Sequence, residues 1–374
     1  MEGIVLALLV CLILALLTKH LSAPVTPFYI LAGIVVGTSG LKIVAADDIS
    51  HFSTELGLIF LLFFLGLELK PGRILSNRKT FLASGLLDLN INFLIGFGAA
   101  FLLGFPLIES LVIASAFFIS STAMTVASLI ENRKLMMREA ETIVWMMVFE
   151  DIVLIVVLTL LSSSLAAPAL FVGEIAAFFA VFFLISTLGR GYILKIMNRD
   201  DELPVIFTFS SVIAVAFLAQ QAGLPESLMV IAFGAALATT DPVKFEIQAQ
   251  PFKDVFLVVF FVFFGIGVDF SGGIPLLIIA ALSLLAIVSK FLSGIAIGHF
   301  VHGKSGAGIE IWANTIGRGE FSIALATLYG SVMVSTIIAG LVITTSIVGS
   351  FSAKYSDRIS QLFRKWGLFQ KSPS

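Results

Sequence analysis

Residues 144–158 read VWMMVFEDIVLIVVL. Two adjacent carboxylates, Glu150 and Asp151, interrupt an otherwise apolar run. Extended to 138–162, the stretch is long enough to cross a bilayer, which takes about 20 apolar residues as a helix. A charge at the bilayer centre costs about 2.5–3.5 kcal/mol on insertion scales, so a residue of this kind marks function. Adjacent helix positions point about 100° apart, so the two carboxylates face different neighbours.

The rest of the chain agrees with a membrane setting. Of its 374 residues, 59% are hydrophobic and only 12% charged, against roughly 25% charged in a soluble domain. That composition excludes a cytosolic enzyme, a secreted domain and a nucleic-acid binder. One cysteine, Cys11, excludes a disulfide framework or a cysteine metal cluster. The start, Met1-Glu2-Gly3, lacks a basic signal-peptide region, so the first apolar run is expected to stay as a span. The hydropathy pattern predicts an all-α polytopic protein with about thirteen spans: 2–18, 24–38, 50–69, 80–104, 107–131, 138–162, 168–189, 203–222, 226–240, 252–268, 273–298, 305–330 and 331–352. The tail, 353–374, is basic. Its Tyr355, Ile359, Leu362, Phe363 and Trp366 fall at helical spacing, which suits either an interfacial helix on the inner leaflet or a frayed end.

Charge supports the layout. Of 22 Lys and Arg, 19 fall in odd-numbered loops or the tail. Lys42 alone is in an even loop, and Lys290 and Arg318 are inside spans. Positive loops stay cytoplasmic. The expected topology is a plasma-membrane protein with its N-terminus outside and its C-terminus inside.

An internal repeat is visible at an offset of 200. Residues 51–74, HFSTELGLIFLLFFLGLELKPGRI, align with 251–274, PFKDVFLVVFFVFFGIGVDFSGGI. The offset carries span three onto span ten, an odd step, so the copies are inverted. Inverted repeats build many secondary transporters, with sites at the midplane where broken helices meet. The same offset carries Ser120-Ser121-Thr122, a polar break in the fifth span, onto Glu320-Phe321-Ser322 in the twelfth. There Gly317 and Gly319 flank Arg318 and weaken the helix. Asn90 maps onto Lys290.

These residues suit a site for a cation and a proton. A hard monovalent cation is matched by carboxylate, hydroxyl and carbonyl oxygens, and unwound helices supply carbonyls and dipole ends. A buried carboxylate holds a proton or a cation, not both, and that exclusion is sufficient for antiport. Lys290 can pair with Glu150 when Asp151 is empty, and can release its own proton as a cation enters. A static buried ion-pair network is the competing reading. For Arg318 and Glu320 that alternative takes a definite form, neutralising the broken-helix ends.

Other polar residues are less specific. Asp88 and Asn92 share a face of the fourth span, with Asn90 beside them, and suit either a cytoplasmic funnel or helix–helix hydrogen bonds. Glu55 and Glu68 sit near span ends. His299 and His302 read as solvated loop residues. Gly33 and Gly37 form a weak helix-contact motif.

The stretches LFFLGLELKPGRI, ISSTAMTVASLIENRKLM, VFEDIVLI, AGLPESLMVIAFGAALA, PFKDVFLVVFFVFFGIGVDF and GRGEFSIAL resemble the second monovalent cation:proton antiporter family. That family includes the bacterial Kef potassium-efflux transporters and is related to the Nap and Nha sodium/proton antiporters. The likeness spans about residues 1–350. It implies two discontinuous helices crossing at the midplane and a division into two parts. A core ion-transport part would comprise about 80–162 and 273–352. A dimerisation part would comprise about 1–69 and 203–268, with 168–200 as a linker. It further implies a homodimer and an elevator-like movement.

In residue terms, the resemblance makes Asp151 the carrier of cation and proton, with Ser121 and Thr122 at the same site. Lys290 corresponds to the lysine of electrogenic members. Glu150 stands where the family has Asp, Asn or Gln, and its carboxylate beside Lys290 points to electrogenic exchange. The chain ends at Ser374 without the Kef nucleotide-binding domain, so gating of that kind would need a separate regulatory subunit.

The expected function is exchange of a monovalent cation, sodium first, for protons. Potassium/proton exchange is the alternative and an ion channel a third reading. A membrane-embedded enzyme has no motif in its favour. No cofactor is expected, and no metal beyond the transported cation. The expected partners are sodium, lithium or potassium, protons, lipid and a second copy of the chain.

Overall fold

A computed structural model describes residues 9–14, 16, 26–37, 39–43, 48–68, 78–162, 173, 180–184, 186–268, 270 and 276–365. The described residues contain helices and their connections and no strand. The helices used below are α1 (Thr26–Val36), α2 (Asp48–Glu68), α3 (Arg78–Leu102), α4 (Leu107–Phe118), α5 (Thr122–Glu131), α6 (Arg138–Ser162) and α7 (Arg190–Met197). They continue with α8 (Leu203–Gln221), α9 (Glu226–Ala238), α10 (Pro242–Gly267), α11 (Leu276–Phe300), α12 (Ser305–Thr315), α13 (Glu320–Tyr329) and α14 (Val332–Lys365). Among the described residues, stretches of α3, α6, α8, α10, α11 and α14 are each long and apolar enough to cross a bilayer. The apolar helices α1, α4, α9 and α13 are shorter.

The two spans expected at 107–131 and 305–330 are each broken. The first splits into α4 and α5 around Ile119–Ser121, and the second into α12 and α13 around Ile316–Gly319. Ile119 and Ser121 have extended backbone. The repeat is legible in the helices themselves. α3 and α11 are both 25 residues long. Each is closed by a glycine at positive φ, Gly104 and Gly303, a conformation open to glycine at little cost. Expected spans 2–18 and 168–189 lie in part outside the described residues.

Among the described residues, α14 runs unbroken for 34 residues to Lys365 and so takes in the first part of the basic tail. Ser352, Ala353, Ser356 and Ser360 keep one face of that extension buried. Trp366 and the residues after it lie outside the described residues.

By internal packing the chain divides into two compact units. One contains 1–45, 77–154 and 264–374, and includes both broken spans. Within it, α11 and α12 approach backbone to backbone at Gly294, Gly298 and Gly308; small residues permit such close helix contacts in membranes. The other unit contains 46–76 and 155–263. There α2 meets α9 at Gly66 and Gly234, and Phe60, Phe209, Phe252 and Phe256 pack as a cluster of rings with centroids 4.8–6.3 Å apart.

Candidate ion-exchange site

The site is built where the two broken spans cross. At the crossing the Ser121 N–H donates to the Gly317 carbonyl at 2.8 Å. Side chains then attend to the exposed half-helix ends. Arg318 is fully buried. One nitrogen of its guanidinium donates to the carbonyls of Thr315 (3.0 Å) and Ile316 (2.8 Å), and the other to Phe117 (2.6 Å). It therefore occupies the C-terminal ends of both α12 and α4, where partial negative charge accumulates. Its backbone is held in turn by α14: the Arg318 N–H donates to Thr345 Oγ1 at 3.2 Å, and Ser346 Oγ donates to the Arg318 carbonyl at 2.9 Å.

Glu320 does the converse. It is the first residue of α13, at the positive end of that half-helix. The Ser121 hydroxyl, on the residue that caps α5, donates to Glu320 Oε2 at 3.2 Å. Among the described residues, the buried Ser322 hydroxyl of α13 and the Arg318 Nε–H lack a hydrogen-bond partner.

Beside the crossing lies an ion-pair network. Lys290 of α11 is fully buried. Its Nζ is 2.7 Å from Asp88 Oδ2 and 2.9 Å from Glu150 Oε1. Glu150 also accepts from the Ser120 N–H and, at 3.1 Å, from the Ser120 hydroxyl, which tie it to the break between α4 and α5. Asp88 Oδ1 accepts from Ser293 Oγ at 2.7 Å and from Asn92 Nδ2 at 2.9 Å. Asn92 Oδ1 in turn accepts from Ser289 at 2.7 Å.

Asp88 and Asn92, which suited either a funnel or helix–helix hydrogen bonds, make hydrogen bonds between helices here. Both are fully buried and join α3 to α11. Asp151 is buried one position on from Glu150 in α6, about 100° around the helix. Thr122 opens α5 and is half-buried. The structure thus gathers Ser120, Ser121, Glu150, Lys290, Gly317, Arg318, Gly319 and Glu320, and adds Asp88 as a second carboxylate on Lys290.

Four features were not anticipated. Thr345 and Ser346 support the Arg318 backbone. Ser289 and Ser293 complete the Asp88 cradle; the repeat offset, which places α3 opposite α11, was the available signal. Lys134, expected in a loop, is buried and paired with Glu310 at 2.8 Å, and Ser356 hydrogen-bonds both. His302, expected to be solvated, has a ring nitrogen 2.9 Å from Thr142 Oγ1.

Apart from the Lys134–Glu310 pair, the buried charged residues among those described are Asp88, Glu150, Asp151 and Glu320 against Lys290 and Arg318. With every group ionised the cluster carries an excess of two negative charges. Uncompensated buried charge is expensive, so the cluster is suited to take up cations or protons.

Comparison with known proteins shows what the whole chain is similar to. The transmembrane sodium/hydrogen exchanger family matches residues 4–355. The K(+)/H(+) antiporter subunit KhtU of Bacillus subtilis is 27% identical, over 96% of this chain and 94% of its own length. The ammonium/H(+) antiporter subunit AmhT of Alkalihalophilus pseudofirmus is 26% identical, over 96% and 93%. The structure of the sodium proton antiporter MjNhaP1 from Methanocaldococcus jannaschii superposes with a TM-score of 0.73 at 19% identity, covering 95% of this chain and 96% of that one.

Proposed function

The chain belongs to the sodium/hydrogen exchanger family, and from that premise we propose how it exchanges a monovalent cation for protons. The observation that carries the reading is the excess of buried carboxylates over buried bases at the crossing of two broken helices. Asp151 is the cation and proton carrier, with Ser121 and Thr122 contributing oxygens. Glu150 shares the work through its pair with Lys290. Two negative charges can be met by two protons or by one cation with one charge left over, which favours electrogenic exchange. Alternating access would come from the core part, about 80–162 and 273–352, moving in an elevator-like way against about 1–69 and 203–268, with 168–200 between them. We propose a homodimer in the plasma membrane, with the N-terminus outside and the C-terminus in the cytoplasm.

Sodium is the ion expected from the sequence. The relatives matched over most of their length are named for different ions: two for potassium and for ammonium, which supports a second reading, and one, from Enterococcus hirae, for sodium. The first two are named as antiporter subunits, which supports a separate partner subunit here.

The test uses purified protein in liposomes with an acidic interior and a trapped pH dye. Sodium, lithium and potassium are added outside in separate trials. Proton exit that requires an added cation is the expected result, and the effective cation identifies the ion. Proton leak without any cation would favour a channel, and exit with none of the three would sink the exchange reading for these ions.

A further inference from the structure

Lys290 is held between two carboxylates that differ in their surroundings. Glu150 is the partner toward the exchange site. Its other hydrogen bonds come from Ser120, in the break between two half-helices. Asp88 is the partner on the other side. Its Oδ2 receives Lys290 at 2.7 Å, and its Oδ1 receives Ser293 and Asn92. Asn92 is itself fixed by Ser289. Every one of these groups stands on α3 or α11, two unbroken 25-residue helices. Asp88 therefore has the donors an ionised carboxylate requires, on a rigid frame.

The consequence concerns the proton on Lys290. During exchange Glu150 must give up its ionised form to a proton, or turn toward a cation. If Glu150 were the sole partner, Lys290 would then be a buried cation without compensation, a state costing several kcal/mol, and would shed its proton. With Asp88 in place it need not.

We propose that Asp88 is the positioning residue that keeps the Lys290 ammonium charged throughout the exchange cycle, so that the Lys290 proton is not among those transported. This rests on the exchange reading above. It replaces the expectation from sequence that Lys290 releases its proton as a cation enters. The charged groups facing Lys290 are Asp88 from α3 and Glu150 from α6, with the Phe118 ring of α4 5.8 Å away. Arg318, in the link between α12 and α13, is a second fully buried cation. The transported protons then ride on Glu150 and Asp151.

The experiment compares pH profiles of cation-driven proton flux in liposomes at clamped voltage, using the full chain with sodium or potassium. Asp88→Asn should move the alkaline limb of activity down by about 1–3 pH units, the reach of a close opposite charge. Asp88→Glu should restore much of it. In a Lys290→Arg background, where the side chain stays charged at any accessible pH, Asp88→Asn should leave the alkaline limb in place. A loss equal at every pH, or an equal shift in both backgrounds, would make Asp88 merely structural and overturn the proposal. Should Asp88→Asn not fold, the Lys290→Arg protein alone decides. Its rate falls, but its proton-to-cation ratio from the reversal potential should match the parent, and a ratio lower by one proton overturns the proposal. Absence of cation-dependent flux in the unmutated protein would instead remove the exchange reading, and this inference with it.

Discussion

Arg318 and Phe117 are 201 residues apart in the chain, yet the Arg318 guanidinium donates to the Phe117 carbonyl at 2.6 Å. The bond joins the two inverted repeats at the point where each loses its helix. Through the carbonyls of Thr315 and Ile316 the same guanidinium closes the other half-helix. One cation thus serves two C-termini that point into a low-dielectric interior. Glu320, hydrogen-bonded by the cap residue of α5 while opening α13, is its acidic counterpart.

Removing Arg318 should therefore be a folding defect first and a transport defect second. Arg318→Ala leaves the Ile316 and Phe117 carbonyls without their donor in a buried setting, and the Thr315 carbonyl with the Ser120 hydroxyl alone. Each unsatisfied group costs about 1–3 kcal/mol, so a loss of several kcal/mol is expected. Arg318→Lys should recover part of it, because an ammonium retains the charge but not the planar fork that reaches both ends. Thermal unfolding in detergent, followed by size-exclusion fluorescence, should rank the three proteins parent, Lys, Ala.

Asp151 should behave in the opposite way. Asp151→Asn keeps the shape of the side chain and removes its charge. It should fold with a Tm near the parent value and show no cation-driven proton flux. Residual exchange above about 5% of the parent rate in a well-folded sample would move the carrier role to Glu150.

These two residues show what the sequence could and could not supply. Glu150, Asp151, Lys290, Arg318 and Glu320 were conspicuous because charge inside an apolar run has few explanations. The breaks at Ser120–Thr122 and Gly317–Glu320 were visible because polar and glycine residues interrupt hydropathy at matching positions. The partners of those charges were not visible. Asp88 suited a funnel or a helix–helix contact equally, because amphipathic position does not reveal which neighbour a face meets; only the packing of α3 on α11 makes it the second carboxylate of Lys290. Lys134 resembled a loop cation for the same reason. Its burial depends on Glu310 and on an extension of α14 that composition alone could not distinguish from a surface helix.

The Lys290 network should show strong energetic coupling. Lys290→Met leaves Asp88 and Glu150 buried without their shared cation. Breaking a buried pair in this way costs about 3–5 kcal/mol. Adding Asp88→Asn removes one of the two stranded charges, so the double variant should be more stable than Lys290→Met alone. The coupling energy is expected within the range of about 0.5–3 kcal/mol seen for contacting residues. Tm values for the parent, both single variants and the double complete the cycle. Additive effects would mean that the ammonium and Asp88 do not interact as the 2.7 Å separation requires.

The last prediction concerns the packing of Gly319 against Ser121 at the crossing of the two breaks. A Cβ at Gly319 would stand 2.5 Å from the Ser121 hydroxyl and 2.6 Å from Ser121 Cβ. A rotamer change can move the hydroxyl, but Ser121 Cβ is fixed to the backbone, so the crossing itself must open. Gly319→Ala should cost about 1–3 kcal/mol, as overpacking does, and should slow exchange by separating Ser121 from Glu320. Ser121→Gly clears the space and, as an N-cap, glycine gives up only a few tenths of a kcal/mol against serine. The Gly319→Ala, Ser121→Gly double variant should therefore regain stability while still lacking the hydroxyl that contacts Glu320. If its exchange rate recovers together with its Tm, the 3.2 Å Ser121–Glu320 contact serves the architecture of the crossing. If stability returns and the rate does not, that hydroxyl takes part in handling the ion.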